Sequence, residues 1–325
     1  MNETGTFPVP MTDLGEKPSF TDRRWAMAAS IEWPTLALIG ACYLLWLSAG
    51  LAYAHIHWLS VAPLAIAIVL HSSLQHEAIH RHPTRSAGLN EALVALPIGL
   101  LVPFRRYRQQ HLQHHHDSRL TDPYDDPESY YLARTDWQRL PRALQALLAW
   151  NNMLAVRLLI GPALTAIVFL RAEATALLHP RDRHRARQVR SAWALHAIGL
   201  VAVVLIVHVV FAMPIGLYLL AAYLGLSLLA VRSFCEHRWA EQPEARTVIV
   251  EDSMLGLLFL NNNLHLVHHT HPALPWYALP SAYRARRDEW RAINGGYVFR
   301  GYGMVMRNFG LRAKEPVAHP ARAGR

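Results

Sequence analysis

The sequence predicts an all-α membrane protein in which four transmembrane helices form two hairpins, joined by interfacial helices and topped by a cytoplasmic helical cap. Three observations predict it. Of 325 residues, 52% are hydrophobic and only 17% charged, a balance more apolar than that of an ordinary soluble enzyme. Residues 35–54, 58–75, 191–212 and 215–234 are apolar runs that approach or exceed the roughly 18 to 22 residues a bilayer crossing needs. Eight histidines fall into three clusters close to such apolar segments: His76-Glu-Ala-Ile-His80, His111-Leu-Gln-His114-His115 and His265-Leu-Val-His268-His269. At this histidine frequency HxxxH arises by chance about once per chain, but HxxHH in roughly one such chain in ten to twenty. Two HxxHH copies therefore point to metal chemistry.

The elements follow in order. The first 34 residues are polar and contain proline, with no basic region leading into a short apolar core, so they do not resemble a cleavable signal peptide; the first helix is expected to stay as an anchor. The links 81–119, 171–190 and 238 onward are rich in arginine, whereas His55-Ile-His57 and Met213-Pro214 form short uncharged turns. Excess basic residues stay on the cytoplasmic side, which puts the N-terminus and all three clusters there. Two further apolar stretches, 89–104 and 143–170, are interrupted: Pro97, Gly99 and Pro103 in the first, Asn151-Asn152, Arg157 and Gly161-Pro162 in the second. A single crossing by the second would place the arginines of 171–190 outside, so both are read as interfacial or re-entrant. The alternative is that the second is a full span paired with the first. A single domain is expected, with a polar segment 1–34, a core of about 35–280 and a cytoplasmic tail 281–325.

Cys42 and Cys235 are the only cysteines, which excludes a disulfide framework, a four-cysteine zinc site and an iron–sulfur cluster. The net charge of +9 reads as cytoplasmic loops in a membrane protein, and no nucleic-acid partner is expected.

The second helix, continued over 58–82 to Pro83, would be roughly 37 Å long and would lift the first cluster above the lipid. His76 and His80, four apart, share a face and can reach one metal. His71 and His82 point about 140° and 160° away from their neighbours and read as structural or solvated. In each HxxHH cluster, positions i, i+3 and i+4 form one stripe. Three ligands in one turn overfill one metal's share of a helix face, so a dinuclear site follows; all-imidazole ligation suits zinc, iron or copper. Surface histidines packing on headgroups would explain one cluster but not three at the same membrane face. His237, just past the fourth helix, is either a ninth ligand or a solvated capping residue. His196 and His208 lie in the third span, and His116, His179, His184 and His271 lack a paired spacing. These six read as packing, supporting or surface residues.

The order HxxxH, HxxHH, HxxHH, with His268-His269-Thr-His-Pro272 closing the last cluster and Thr121-Asp122-Pro123-Tyr-Asp-Asp126-Pro127 following the second, resembles the membrane fatty acid desaturase and hydroxylase superfamily. The resemblance runs from the first span to about Trp276. It implies two non-haem irons that activate dioxygen and abstract hydrogen from an unactivated C–H bond, with His76, His80, His111, His114, His115, His265, His268 and His269 as ligands. A further histidine near the cytoplasmic end of the last span completes the site in some members, which assigns His237. Alkane hydroxylases and carotenoid ketolases or hydroxylases are similar relatives. Glu77 stands where many desaturases have Asp, and His265 where many front-end enzymes have Gln; both departures weaken the subfamily assignment and leave the chemistry. No His-Pro-Gly-Gly segment of a fused cytochrome b5 is present, so electrons are expected from a separate ferredoxin, cytochrome or flavoprotein reductase.

Around the ligands, Asp117, Asp122, Asp125, Asp126 and Glu128 follow the second cluster. A carboxylate there can accept the other N–H of a metal-bound imidazole, and Asp126 is the candidate taken. Asn261, Asn262 and Asn263 precede the third cluster, with Asn261 taken as the one that supports a ligand, although capping of the helix would equally use one of them. Arg105, Arg106, Arg108 and residues 284–287 are basic positions for an acidic electron donor or for lipid headgroups.

Two other classes compete. His76-Glu77-Ala-Ile-His80 is also HExxH, the zinc peptidase pattern in which Glu77 would activate water, but that site leaves both HxxHH clusters unused. A histidine-rich transporter calls for ionisable groups inside the spans, where only His196 and His208 lie. Within the favoured class, a desaturase acting on a membrane lipid or acyl chain is preferred. The alternative is hydroxylation of an acyl, alkane, carotenoid or small amphipathic substrate, since the two outcomes share the first hydrogen abstraction. A long apolar tunnel would favour the former and a short polar pocket a small substrate.

Overall fold

The structure is a computed structural model that describes residues 31–116, 119–179 and 183–324. Most of the N-terminal polar segment and Asp117 lie outside the described residues. Helix α1 (Trp33–Leu51) opens on Pro34, whose missing N–H costs nothing in a first turn. A short helix α2 (Tyr53–Ile56) and a 3-10 turn (His57–Ser60) reverse the chain into α3 (Val61–Ile79). Helix α3 stops at Ile79, not at His82 as expected, because residues ahead of Pro83 are pushed away from helical backbone. Helices α4 (Ala87–Leu93), α5 (Phe104–His116), α6 (Arg134–Arg139) and α7 (Arg142–Asn151) lead to α8 (Leu154–Leu178). Helix α9 (Arg183–Leu205) runs on through a π turn (Ile206–Val210), and α10 (Ile215–Ser233) closes the apolar bundle.

Beyond α10 come β1 (Ile249–Glu251), α11 (His265–Thr270), α12 (Leu279–Ala285), α13 (Arg287–Ile293), β2 (Val298–Arg300) and α14 (Gly301–Phe309). The parallel pair β1–β2, in the register Ile249↔Val298, corrects the all-α expectation in this small respect. Two residues of β1 are fully buried between apolar clusters, and pairing with β2 satisfies their backbone.

Helix α3 is the central member, packed by α1 on one side and α10 on the other. Gly225 permits the second contact: a Cβ there would lie 3.0 Å from Ile68 Cγ2 and 3.3 Å from the Ala65 carbonyl oxygen. Between these helices lies the irregular loop 94–103. Its backbone carbonyls would be orphaned in an apolar layer, and side chains from the helices satisfy them. Gln75 donates to Val94 O (3.2 Å), Tyr218 to Ile98 O (2.7 Å) and His196 Nε2 to Leu100 O (2.8 Å). The lone histidine His196 is thus a packing residue, as expected.

Among the described residues five helical stretches, rather than the expected four, are long and apolar enough to cross a membrane: Trp33–Leu51, Tyr53–Ile79, Leu154–Leu178, Arg183–Val210 and Ile215–Ser233. The addition is α8, which continues unbroken through Gly161-Pro162, where an interruption was expected. Pro162 cannot donate to the Leu158 carbonyl, and Ser227 Oγ of α10 takes over that acceptor at 2.7 Å. Both ends of α8 meet the elements that follow or carry the second histidine cluster. Arg157 near its start donates to Asn151 O (3.0 Å) and lies over the Tyr130 ring, while Glu173 near its end forms a buried pair with Arg106 of α5 (2.7 Å).

A substituted carbonyl partner of this kind is testable. Ser227→Ala is expected to cost about 1–3 kcal/mol of stability in detergent unfolding, the penalty for a buried unpaired acceptor. In a Pro162→Ala background, where the helix N–H returns, the same change should cost much less. Equal costs in both backgrounds would show that Ser227 does not serve this carbonyl.

Candidate metal centre

Each histidine cluster sits at the end of an element that the packing fixes. His76 is in the last turn of α3 and His80 caps it; His111, His114 and His115 lie along α5; His265, His268 and His269 form α11; His237 follows α10. The nine rings form two groups. His76, His80, His111, His115 and His268 make one, and His114, His237, His265 and His269 the other; within each, candidate ligand nitrogens lie within 4.8 Å of one another. Each HxxHH is therefore split. The i, i+4 pair His111/His115 serves the first group and His265/His269 the second, while the middle histidines, His114 and His268, cross over.

The ring nitrogens approach closely. Nε2–Nε2 separations are 3.0 Å for His80/His111 and His114/His237, 3.1 Å for His265/His237 and His269/His265, and 3.2 Å for His268/His115. Three of the opposite nitrogens have acceptors. His114 Nδ1 donates to Asp126 (2.8 Å), His111 Nδ1 to Glu128 (2.9 Å) and His265 Nδ1 to Asn262 Oδ1 (2.8 Å). With the proton on Nδ1, Nε2 carries a lone pair. Lone pairs turned toward other ring nitrogens at about 3 Å are placed to share a cation. His76 Nε2, buried and without a hydrogen-bond partner, fits the same requirement.

Electrostatics keep most of these rings neutral. Burial first, then the neighbouring imidazoles His111 and His80, holds His115 far below the ordinary histidine range. Burial followed by neighbouring histidines does the same for His265, His268 and His269, and burial followed by His114 for His237. His80 is lowered by burial, then by His111 and His82. His114 is the exception: burial opposes its charged form, but Glu128 and Asp126 outweigh burial and raise it to about 9. Burial alone would raise Glu128, but His114 and His111 beside it keep it ionised.

Asp126 is placed as expected, and its second oxygen accepts the Thr121 amide at 2.8 Å. Asn261 is a correction. Its Nδ2 donates to Trp276 O (3.0 Å), and its neighbour Asn262 supports His265 instead. Asn261 has a left-handed backbone (φ 55°) that turns its side chain toward the Trp276 loop. Glu128 is the carboxylate that choosing Asp126 passed over; it lies two residues further on, and only the loop's return toward α5 distinguishes it. Asp122 and Asp125 pair with Arg322 and Arg119, as loop acids commonly do.

Among the other histidines, His71 approaches the Tyr43 hydroxyl (3.2 Å) and His82 pairs with Glu32 (2.7 Å), so both are structural. Glu77 is buried and accepts the Trp276 amide at 3.1 Å, while both HxxHH clusters join the cage. Neither feature suits a peptidase. The basic surface is smaller than expected, because Arg105 pairs with Glu91, Arg106 with Glu173, Arg286 with Glu289 and Arg287 with Glu251.

The sequence profile described as fatty acid desaturase matches residues 53–301, which include all nine histidines. The chain belongs to the fatty acid desaturase family. A search among curated proteins finds no match. Family, apolar helices and paired histidine groups together make this desaturase-family chain an integral membrane protein and an oxidoreductase of the desaturase/hydroxylase superfamily, with histidine clusters suited to a metal.

Two predictions follow from the geometry. Asp126→Ala and Asn262→Ala should each weaken metal binding about 10–100-fold, whereas Asn261→Ala should leave it nearly unchanged; chelator titration of the purified variants reads this, and the reverse order for the two asparagines would refute the assignment. The second concerns pH. Six cage histidines outside the apolar spans have folded-state values below their unfolded value of about 6.5, so below that pH the unfolded chain binds more protons. Metal-free protein should therefore lose stability as pH falls from 7 toward 5, with His114 opposing weakly. Thermal unfolding that is flat or improves over that range would contradict it.

Proposed function

We propose that the chain is a dioxygen-dependent fatty acyl desaturase with a di-iron centre held by the nine histidines. The observation that carries this reading is the division of nine imidazoles into two adjacent cages, three of whose members have Nδ1 held by Asp126, Glu128 and Asn262. Two irons bound there would supply dioxygen activation and hydrogen abstraction from an unactivated C–H bond.

The residues of the chain supply the setting. A cavity of about 60 Å³ lies between α3, α10 and the 94–103 loop, lined by Ile68, Val69, Gln75, Gly99 and Leu229; it is too small for an acyl chain, which on this reading enters by separation of these elements. Desaturation takes two hydrogens from adjacent carbons, and dioxygen accepts these with two electrons and two protons to give two waters. The electrons are assigned to a separate ferredoxin, cytochrome or flavoprotein reductase that docks on the cytoplasmic face. In this reading the chain crosses four times and α8 lies along the membrane surface. That arrangement is supported by the contacts of both its ends with the box-two helix and the loop behind it and by the arginines of 171–190.

Hydroxylation of an amphipathic substrate is the second reading. It is favoured by polar groups near the cages: His71 and Ser72 line the cavity below, and Thr121, Glu128, Glu236 and His237 line another of about 190 Å³.

The test combines metal and product analysis. Detergent-purified protein is expected to hold two irons, with substantial loss in His268→Ala. Cells expressing the chain under ¹⁸O₂ should gain acyl chains lighter by two hydrogens and carrying no label. An ¹⁸O-labelled hydroxyl product would replace this reading with the second. A single zinc, indifferent to His268→Ala but lost with His76→Ala, would defeat both.

A further inference from the structure

His237 differs from the other eight cage histidines in lying outside the boxes, on a segment that has already left α10. It is also the hub of its group, with its Nε2 3.0 Å from that of His114 and 3.1 Å from that of His265. No helix holds it; an antiparallel bridge to Thr247 pairs the backbone on either side, with Val248 N donating to Glu236 O (3.0 Å) and Arg238 N to Arg246 O (2.9 Å), and its carbonyl is held separately. Its carbonyl oxygen accepts from Lys314 Nζ at 2.6 Å and lies 3.2 Å from the Tyr130 hydroxyl oxygen.

Lys314 comes from the C-terminal tail, and its side chain is only 4% exposed. It lies over the rings of Tyr130 (4.9 Å) and Phe234 (5.5 Å) and pairs with Glu315 at 2.9 Å. Glu315 in turn accepts from the Tyr130 and Tyr131 hydroxyls, and the Trp239 amide donates to the Tyr131 hydroxyl at 2.8 Å. Trp239 is two residues past His237, so the C-terminal flank of the ligand is held from the same side.

The tail is itself anchored. Lys314 N donates to Asn152 O (2.9 Å), Leu132 N to Val317 O (2.9 Å) and His319 N to Leu132 O (2.7 Å), and Asn152 Nδ2 donates to Glu315 O (2.6 Å). Leu132 lies a few residues past Asp126 and Glu128, so one segment clamps His237 and the loop whose carboxylates orient His114 and His111. A buried lysine is costly to desolvate, and here Glu315, the Tyr130 and Phe234 rings and the His237 carbonyl together offset that cost.

We propose that residues 313–319 form a strap that positions His237, with Lys314 as the positioning residue, and that the strap controls metal retention in the four-histidine cage separately from the five-histidine cage. The inference rests on the dinuclear reading above. Lys314 touches neither metal nor substrate; it acts through the His237 backbone.

The experiment loads full-length, detergent-purified protein with ⁵⁷Fe(II) alone and follows iron per chain and the Mössbauer spectrum during chelator challenge. His265→Ala and His80→Ala serve as references for loss from either cage. Lys314→Met, which keeps the chain length and removes the donor, should release one iron about 10–100-fold more readily, the usual effect of losing a group that orients a ligand. The remaining iron should match the His265→Ala reference. Tyr130→Phe, which removes the hydroxyl that holds Glu315 beside Lys314, should give the same one-sided loss. A purely structural role would instead lower both irons together. Wild-type retention of both irons in the two variants, or parallel loss of both, overturns the strap while leaving the dinuclear reading intact. Fewer than two irons in the wild type overturns that reading and the strap with it.

Discussion

The constraint on which the structure depends is the crowding of nine imidazoles, eight of which bring their Nε2 atoms within about 3 Å of another ring in pairs. Three of the rings have Nδ1 held by a carboxylate or amide oxygen, which turns an Nε2 lone pair toward a neighbouring ring nitrogen, an arrangement a cation would satisfy. Burial disfavours protonation of most of the rings, since it pushes them far below their ordinary range. Much of the fold reads as scaffolding for this convergence. Asp126, Glu128 and Asn262 hold three rings from behind, and the ends of α3, α5, α10 and α11 converge so that no single element has to carry more than a few of them.

The same economy of backbone groups runs through the apolar layer. Irregular chain between helices is tolerable only when its carbonyls find donors, and the 94–103 loop finds Gln75, Tyr218 and His196. Pro162 frees the Leu158 carbonyl inside α8, and Ser227 accepts the duty from the neighbouring helix. These polar residues look misplaced in an apolar sequence until the acceptor they serve is known. They fix how α3, α8, α9 and α10 sit against one another, and that packing sets where the histidine-bearing ends converge.

Much of the centre was legible in the sequence because its signals are local. Spacings of three and four put histidines on one helical stripe whatever the rest of the chain does, so the eight clustered histidines could be read directly. Asp126 was within reach for the same reason, lying in the loop that leaves α5. Asn261 failed as a supporting residue because three adjacent asparagines carry no spacing information. A left-handed backbone at position 261 gives the contact to Asn262. Arg106, read as a surface charge, proved to be buried against Glu173, sixty-seven residues away in the chain, a pairing no local pattern announces.

By itself the sequence determined that this is a helical membrane protein with histidine clusters suited to a metal, because hydrophobic run length and helical periodicity are properties of neighbouring residues. Tertiary structure alone decided how each HxxHH divides between two cages, since that depends on the angle at which α5 and α11 meet. It also decided that α8 runs unbroken through a proline, and that a lysine near the C-terminus holds the carbonyl of His237. Those outcomes are set by partners dozens to hundreds of residues apart, brought together only when the helices pack.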